Sequence, residues 1–398
     1  MGYILFDHHR HHFLPFTHTR AIADIRCGII TMRERWEKHL DCKTGSLTAP
    51  HIMQVAQQVA DEGECTFINA NVFATERLVA AITKLKSEET LVANDVVIAY
   101  RGIFNGSLSE FENTAKKSHQ IEYGEEVMML NRVWDIFYMN DKAIKADFNL
   151  LTNNRKSAPI PAGVTVTGTQ FFMEESATIL PGTIINATTG PVYIGTDAEI
   201  MEGCLIRGPF AMCDHSVLKM GAKIYGATTI GTGCKVGGEN GNVVYFANSN
   251  KGHDGYLGNA IVGEWCNLGA DTNASNLKNN YDEVKIWDEH SNKSLKTGLA
   301  FVGLMMGDHS KCGINTMFNT GTVVGVSCNI YGGDFPEKFI PSFSWGGSAE
   351  MVTYQFEKAI DTANRMMARR NKEISDAERS MLRHVFEITA HQRAMFGH

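Results

Sequence analysis

The chain has 398 residues, of which 43% are hydrophobic and 20% charged, a composition typical of a soluble globular protein with two or three domains. Its 37 basic and 44 acidic residues give a formal net charge of -7, which argues against a general nucleic-acid binder. No apolar run approaches the ~18 residues of a membrane span, and charge appears too early, at Asp7, for a signal peptide. The nine cysteines form no Cys-x-x-Cys pair, so we expect a cytoplasmic protein with reduced thiols.

Residues 1–156 predict an α/β domain in which strands and helices alternate. Strands are expected at Tyr3–Phe6, Cys65–Asn71 and within Leu91–Tyr100, and helices at Ile29–His39 and Thr75–Ile82. This alternation favours a doubly wound, Rossmann-like sheet, whose ligands lie at the carboxyl ends of the strands.

Residues 157–340 carry apolar residues at a strict spacing of six, which matches neither a helix nor an alternating strand. A six-residue repeat is typical of a parallel β-helix, in which short strands stack coil upon coil. Two polar stretches, 237–256 and 287–298, interrupt the repeat, and such interruptions are where function is usually found. The repeat residues are Ile194, Ile200, Ile206, Met212, Leu218, Ile224, Ile230 and Val236, followed by Met306, Cys312, Phe318, Val324 and Ile330.

Residues 341–398 predict helices. Glu350–Arg370 has helical periodicity, and Ser375 with Glu378 forms a capping box for a last helix through about His391. We interpret these helices as a cap on the open end of the β-helix, whose strand edges otherwise remain unpaired.

Three stretches in and after the first interruption resemble the acetyltransferase half of the bifunctional bacterial enzyme that makes UDP-N-acetylglucosamine. They are Asn250–Gly258, Val262–Ala270 and Ser275–Tyr281. That half shows an Asn/Lys-x-His-x-x-Tyr-Leu-Gly run, then Asn-Ile-Gly-Ala-Gly, then Cys-Asn-Tyr-Asp-Gly. The resemblance implies a left-handed β-helix and acetyl transfer from acetyl-CoA to glucosamine-1-phosphate.

The resemblance also implies roles for individual residues. His253 is the candidate general base, since an imidazole accepts protons near neutral pH, and Asn267 and Asn276 complete the catalytic set. Tyr256 is expected to position the sugar, and the backbone near Ala270 to lie beside the thioester of acetyl-CoA, where N–H groups stabilise an oxyanion. Further substrate contacts are expected from Lys251 and Lys278, on charge and sequence proximity, and from the hydroxyl of Tyr281.

The chain departs from the family pattern at three places. Leu277 replaces the tyrosine after the second asparagine, so that hydroxyl is lost or moved to Tyr281, and Ser275 replaces the cysteine. The loop before His253 also differs, which leaves the phosphate contacts and the exact sugar open.

The N-terminal residues resemble the short pyrophosphorylase-like domain of the Bacteroidetes-type bifunctional enzyme. The matching segments are Leu5–Arg10, Leu14–Arg20 and Arg26–Trp36. The usual Leu-x-x-Gly-x-Gly-x-Arg-Met signature, whose glycines wrap nucleotide phosphates, is replaced by a loop without glycine. We still expect phosphate contacts from Arg10 and Arg20, a nucleotide contact from Asn71, and a Mg²⁺ ligand in Asp7 or Asn71. Uridylyl transfer from UTP and a degenerate domain retained for assembly both stay open.

These observations predict an acetyltransferase that assembles as a homotrimer, because related β-helix acyltransferases are trimers. Its partners are a sugar phosphate, acetyl-CoA and UTP, with neither nucleic acid nor membrane. Two alternatives remain: another sugar-1-phosphate nucleotidyltransferase whose β-helix only oligomerises, and a non-catalytic regulator that binds sugar nucleotides.

Overall fold

The computed structural model describes residues 2–59 and 63–397. The chain forms two compact units. The first contains the residues up to Phe13, Thr17–Ile25 and Ile30–Val133, and the second contains Leu14–Phe16, Arg26–Ile29 and everything from Trp134 onward. The described part of the chain contains no helix that is both long and apolar enough to cross a membrane.

The first unit is built on one mixed sheet. Its strands are β1 Gly2–Phe6, β2 Thr44–Leu47, β3 Cys65–Asn69, β4 Glu89–Ala93, β5 Val96–Gly102 and β6 His119–Glu122. Its helices are α1 Met32–Leu40, α2 Pro50–Met53, α3 Glu76–Ile82 and α4 Leu108–Lys117, and single 3₁₀ turns lie at Arg10–Phe13, Phe16–His18 and Ile22–Asp24. The strand order is β2-β1-β3-β5-β4-β6.

The sheet differs from the expected doubly wound arrangement in its centre. Strand β5 runs antiparallel to both β3 and β4, whereas β1 pairs in parallel with β2 and β3. The predicted single strand at Leu91–Tyr100 is a hairpin, because Asn94 and Asp95 adopt φ angles of 49° and 64°. Two consecutive left-handed residues make the type of turn that joins adjacent antiparallel strands.

The second unit begins with helices α5 Asp135–Tyr138 and α6 Asn140–Thr152 and continues as a solenoid. Its strands are β7 Thr165–Thr167, β8 Phe171–Met173, β9 Thr178–Ile179, β10 Ile184–Asn186, β11 Val192–Ile194, β12 Glu199–Ile200, β13 Leu205–Arg207, β14 Phe210–Met212, β15 Val217–Leu218, β16 Lys223–Tyr225, β17 Thr228–Ile230, β18 Lys235–Val236, β19 Glu239–Tyr245, β20 Asn250–Lys251, β21 Tyr256–Val262, β22 Asn267–Leu268, β23 Asn273–Ala274, β24 Lys285–Asp288, β25 Lys293–Lys296, β26 Met305–Met306, β27 Lys311–Cys312, β28 Met317–Phe318, β29 Val323–Val324, β30 Asn329–Ile330, β31 Phe339–Ile340, β32 Ser344–Gly346 and β33 Met351–Thr353.

These strands stack into three faces of parallel strands. The first face holds β7, β10, β13, β16 and the first halves of β19 and β21. The second face holds β8, β11, β14, β17, the second halves of β19 and β21, and β26, β29 and β31. The third face holds β9, β12, β15, β18, β20, β22, β27, β30 and β32. The fold class predicted from the repeat, a parallel β-helix after an α/β domain, is therefore confirmed.

The six-residue repeat marks the residues that point into the solenoid. None of the thirteen repeat residues is more than 5% exposed. The first interruption does not leave the solenoid: β19 and β20 form an ordinary coil with polar residues inside, such as Asn240, whose Oδ1 accepts a hydrogen bond of 2.7 Å from the Tyr245 hydroxyl. The second interruption is an antiparallel hairpin, β24–β25, that forms a separate two-stranded sheet. Its Trp287 stacks on Phe339, with ring centroids 5.5 Å apart.

The three faces differ in what packs against their outer sides. Helices α5 and α6 lie against strands of the second face. There the Asn140 side chain accepts a hydrogen bond of 2.7 Å from Gly28 N and donates one of 2.8 Å to Ala227 O. On the first face, by contrast, the outward residues Ile184 and Leu205 are 49% and 48% exposed. The first face is thus an open side of this unit.

The chain ends in helices α7 Phe356–Ala368, α8 Asp376–Ile388 and α9 Ala390–Met395. The predicted capping box is confirmed, because Ser375 and Glu378 exchange backbone and side-chain hydrogen bonds at the start of α8. The start of the predicted Glu350–Arg370 helix is instead β33, which pairs antiparallel with β32. The Arg393 guanidinium donates to Ser342 O at 3.0 Å, so the helices cap the last coil.

Candidate functional site

The turn that carries His253 joins the third face to the first. Strand β20 ends at Lys251 and β21 begins at Tyr256, and the His253 side chain between them is exposed. The turn is fixed on both sides by its neighbours, since Glu239 N donates to Gly255 O and Asp271 N donates to Asp254 O, each at 3.1 Å. The imidazole therefore stands in solvent on a backbone that two adjacent coils hold in place.

Gly255 makes this close stacking possible. Its φ of +116° lies where L-amino acids rarely go, and a Cβ there would come within 2.2 Å of the Thr272 carbonyl oxygen. A side chain at this position would displace the turn from the next coil.

Tyr256 and Asn276 meet beyond this turn. The Asn276 Nδ2 donates to the Tyr256 hydroxyl at 3.0 Å and to the Asn259 Oδ1 at 2.8 Å. A Cβ at Gly258 would lie 2.2 Å from the Tyr256 hydroxyl, so this glycine leaves room for the ring to lie flat on the first face. Burial raises the pKa of Tyr256, and its hydroxyl stays protonated at neutral pH.

Two further residues extend this group along the first face. The Tyr225 hydroxyl donates to Glu239 Oε1 at 2.6 Å and lies within hydrogen-bonding reach of Tyr256. Neither Tyr225, Glu239 nor Asn259 was expected from the motifs. The sequence motifs could not identify these residues, because their proximity depends on the register between coils. Glu239 pairs with Tyr256, and Lys223 pairs with Glu239, across neighbouring strands.

Asn267 lies apart from this group, on the outer side of the third face. It follows Asn250 and precedes Lys311 in the stacked strands β20, β22 and β27. Its inward neighbour Leu268 is 2% exposed, and alternation along the strand turns Asn267 outward. A single chain therefore places Asn267 and Asn276 on different faces.

Lys251 does not reach the surface, which corrects its expected contact with substrate. Its side chain is 0% exposed, and it pairs with Val236 on the inward side of the third face. The Nζ donates to the carbonyl oxygens of Gly255 at 2.9 Å, His253 at 3.1 Å and Gly237 at 3.4 Å. Its ammonium is thus committed to backbone carbonyls inside the coil.

The remaining expected residues lie around the next corner. Ala270 is half-buried, and its carbonyl accepts a hydrogen bond of 2.8 Å from Asn315 N. The Lys278 Nζ donates to Glu283 O at 2.6 Å and lies 3.6 Å from Asp282. Tyr281 is 77% exposed. Lys278 is therefore tied to its own loop, and Tyr281 extends into solvent.

In the first unit, Asp7 does not fit the role of a Mg²⁺ ligand. Its carboxylate is buried and accepts hydrogen bonds from Ile22 N at 2.8 Å, the Thr48 hydroxyl at 2.5 Å and Arg10 Nε at 3.4 Å. Burial raises the pKa of Asp7, against the attraction of Arg10, which further disfavours the charged form that a cation needs. Within residues 2–59 and 63–397, no group of three or more His, Cys, Asp or Glu side chains is arranged to hold a metal ion.

The residues expected to contact a nucleotide are largely buried or hydrogen-bonded within the fold. Arg10 also donates to Thr17 O, and Arg20 is 8% exposed. Asn71 is 1% exposed, accepts from His8 N at 3.3 Å and donates to Leu130 O at 3.0 Å. Arg10 and Asn71 thus bond groups that follow the carboxyl end of β1, and of the three side chains only Arg10 keeps some exposure to solvent.

Parts of the chain are similar to known proteins. Residues 3–156 match the family model of sugar nucleotidyl transferases. Over 257 residues the chain is 28% identical to a bifunctional sugar-1-phosphate nucleotidylyltransferase/acetyltransferase of Sulfurisphaera tokodaii, covering 64% of this chain and 57% of that protein. It is 26% identical over 235 residues to the bifunctional protein GlmU of Synechococcus elongatus, covering 52% of this chain and 46% of that protein.

The chain spans about half the length of the curated relatives it matches. Among solved structures, a UDP-N-acetylglucosamine acyltransferase of Bacteroides fragilis aligns with 60% of this chain and 86% of its own, at 15% identity and a TM-score of 0.26. The polySia specific acetyltransferase NeuO aligns with 48% of this chain and 85% of its own, at 13% identity and a TM-score of 0.26.

Proposed function

We propose that this protein transfers the acetyl group of acetyl-CoA to the amino group of an amino-sugar phosphate, with glucosamine-1-phosphate as the expected acceptor. One observation carries the proposal: the exposed His253 stands on a rigid turn that leads, three residues later, into a tyrosine whose hydroxyl is held by Asn276. The bifunctional relatives support the same chemistry.

His253 acts as the general base. The amine nitrogen attacks the thioester carbonyl, the N–C bond forms, and the imidazole takes the amine proton. The C–S bond then breaks, and the proton passes to the departing thiolate of coenzyme A. A positioned base of this kind contributes about 10²–10⁴-fold to the rate. The backbone beside Ala270 supplies the N–H environment for the transient oxyanion.

Tyr256 orients the sugar. Its oxygen accepts the Asn276 amide hydrogen at 3.0 Å, and its second lone pair is left to accept a hydrogen bond from a sugar hydroxyl on the open first face. Tyr225 and Glu239 keep the ring and its hydroxyl in this position. Tyr281 and Lys278 lie on the loop that follows, and of the two only Tyr281 extends into solvent, as a sugar contact requires.

A homotrimer completes the site. Asn267 lies on the third face, whereas Tyr256 and Asn276 belong to the first, so the catalytic set is divided between two sides of one solenoid. The half-exposed Ile184 and Leu205 form an apolar patch on the first face, three to four coils before Tyr256, as expected of a surface that another copy covers. In a closed three-fold ring, the third face of one copy supplies Asn267 to the first face of its neighbour.

The first unit is the second candidate for catalysis. Its match to sugar nucleotidyl transferases favours uridylyl transfer from UTP to the acetylated sugar phosphate. The bonded carboxylate of Asp7 means that any Mg²⁺ in that reaction is held by the nucleotide and other groups.

The test uses the full chain with acetyl-CoA and a panel of amino-sugar phosphates, and it measures the release of free thiol. We expect turnover with one acceptor and its loss in His253→Ala. Turnover without UTP consumption identifies an acetyltransferase whose first unit serves assembly. If no acceptor releases thiol, acetyl transfer is refuted. In that case, uridylyl transfer by the protein would favour a nucleotidyltransferase. Binding of a sugar nucleotide without any turnover would favour a regulator.

A further inference from the structure

A lysine is built into the apolar interior of the solenoid. The inward stack of the third face runs through Ile200, Leu218 and Val236 and reaches Lys251 before it continues with Leu268. Its neighbours in the stack are aliphatic, so an aliphatic side chain at this position would satisfy the packing. Burying an ammonium instead is costly unless it is fully hydrogen-bonded.

The three hydrogen bonds of Lys251 explain how this cost is met. Its ammonium has three protons, and three carbonyl oxygens lie within 2.9–3.4 Å, those of Gly255, His253 and Gly237. Two of these carbonyls belong to the four-residue turn that carries the proposed base. The third belongs to the preceding coil, so the ammonium ties the turn to its neighbour from the inside.

The electrostatic surroundings agree with this arrangement. Burial lowers the pKa of Lys251 to about 8, and the charges of Asp254, Cys312 and Asp271 oppose the shift. The lysine therefore remains mostly charged at neutral pH and keeps three N–H donors for the three carbonyls.

We propose that Lys251 is a positioning residue that holds the 252–255 turn from inside the coil and thereby fixes the direction of the His253 imidazole. The inference rests on the proposed role of His253 as the base. A base displaced by about 1 Å can lose on the order of 10²-fold in rate, and Lys251 adds an internal restraint to the backbone hydrogen bonds that tie the turn to the adjacent coils.

The test compares Lys251→Met with the control Leu218→Ala in the full chain. Methionine fills the stack without a charge, and two of the three carbonyls keep another donor, since Glu239 N donates to Gly255 O and Asn240 Nδ2 donates to Gly237 O. Folding should therefore persist, and resistance to urea should stay nearly equal. We expect kcat for acetyl transfer to fall about tenfold or more, while KM for the sugar changes little. Leu218→Ala, in the same stack but two coils away, should lower resistance to urea and leave kcat within about twofold.

Loss of rate without loss of stability is the signature of positioning. If Lys251→Met keeps kcat within about twofold, or if its kcat and stability fall together as a packing defect requires, the proposal is wrong. If Lys251→Met does not fold, the same measurements are made on Lys251→Gln, which keeps an N–H donor in the stack, and the same criteria apply.

Amide hydrogen exchange separates this inference from the proposed function. Lys251→Met should speed exchange of the Glu239 and Asp271 amides, which donate to Gly255 O and Asp254 O of the turn, about tenfold, with no change around Leu218. A wild-type chain that transfers no acetyl group would defeat the proposed function, yet faster exchange of these two amides would still support the restraint. Unchanged exchange would overturn the restraint whatever the activity.

Discussion

Lys251 makes the stability of this protein depend on pH within a defined window. Burial lowers the pKa of its ammonium from 10.5 to about 8, and unfolding restores the ordinary value. Between these two values the unfolded chain binds more protons than the folded chain. Because the free energy of unfolding rises with pH wherever the unfolded state binds more protons, Lys251 contributes a rise from about pH 8 to about pH 10.5.

The size of the effect follows from the pKa difference. One pKa unit corresponds to about 1.4 kcal/mol, so the whole window is worth about 3 kcal/mol, of which about 2 kcal/mol appears by roughly pH 10. Lys251→Met lacks this group. We therefore expect the stability of the variant relative to wild type to be highest below about pH 8 and to decline steadily above it.

The assay is urea unfolding of both proteins from about pH 7 to about pH 10, at one protomer concentration because the proposed assembly would add to stability. Burial also lowers the pKa of Lys311 to about 8, but that residue is present in both chains and cancels in the difference. A stability difference that stays constant across this range would refute the placement of a charged lysine in the core.

Three further predictions concern the site, the assembly and the second unit. His253→Ala should lower kcat for acetyl transfer by about 10²–10⁴-fold, with unchanged circular dichroism because the side chain is exposed; near wild-type turnover would remove the base from the mechanism. Leu205→Glu should dissociate the trimer in light scattering, whereas Ile388→Glu, 40% exposed on α8, should not; an intact trimer in both variants would show that the first face is not the interface. Asn140→Leu should lower the free energy of unfolding by about 3 kcal/mol, because buried Gly28 N and Ala227 O lose their partner; exposed Asn149→Leu on the same helix is the matched control, and equal stability of the two variants would contradict this account.

The sequence by itself determined the solenoid. Side chains that point into the narrow coil are removed from water and are therefore apolar. For this reason an apolar residue recurs every sixth position from Ile194 to Val236. Local hydrogen bonding likewise determined the start of α8, since Ser375 and Glu378 satisfy each other's backbone within one turn. The exposed turn that carries His253, and the position of Tyr256 directly after it, could also be predicted, because both belong to one short run of neighbouring residues.

Only the tertiary structure decided the rest. Lys251 is charged, and its sequence context predicts an exposed contact, but the register with Val236 turns it into the core, where distant carbonyls bond its ammonium. Asn140 and Gly28 join the β-helix unit although more than a hundred residues separate them. Such pairings depend on which buried donors and acceptors the folded chain brings within about 3 Å of each other, and no local pattern of residues encodes that distance.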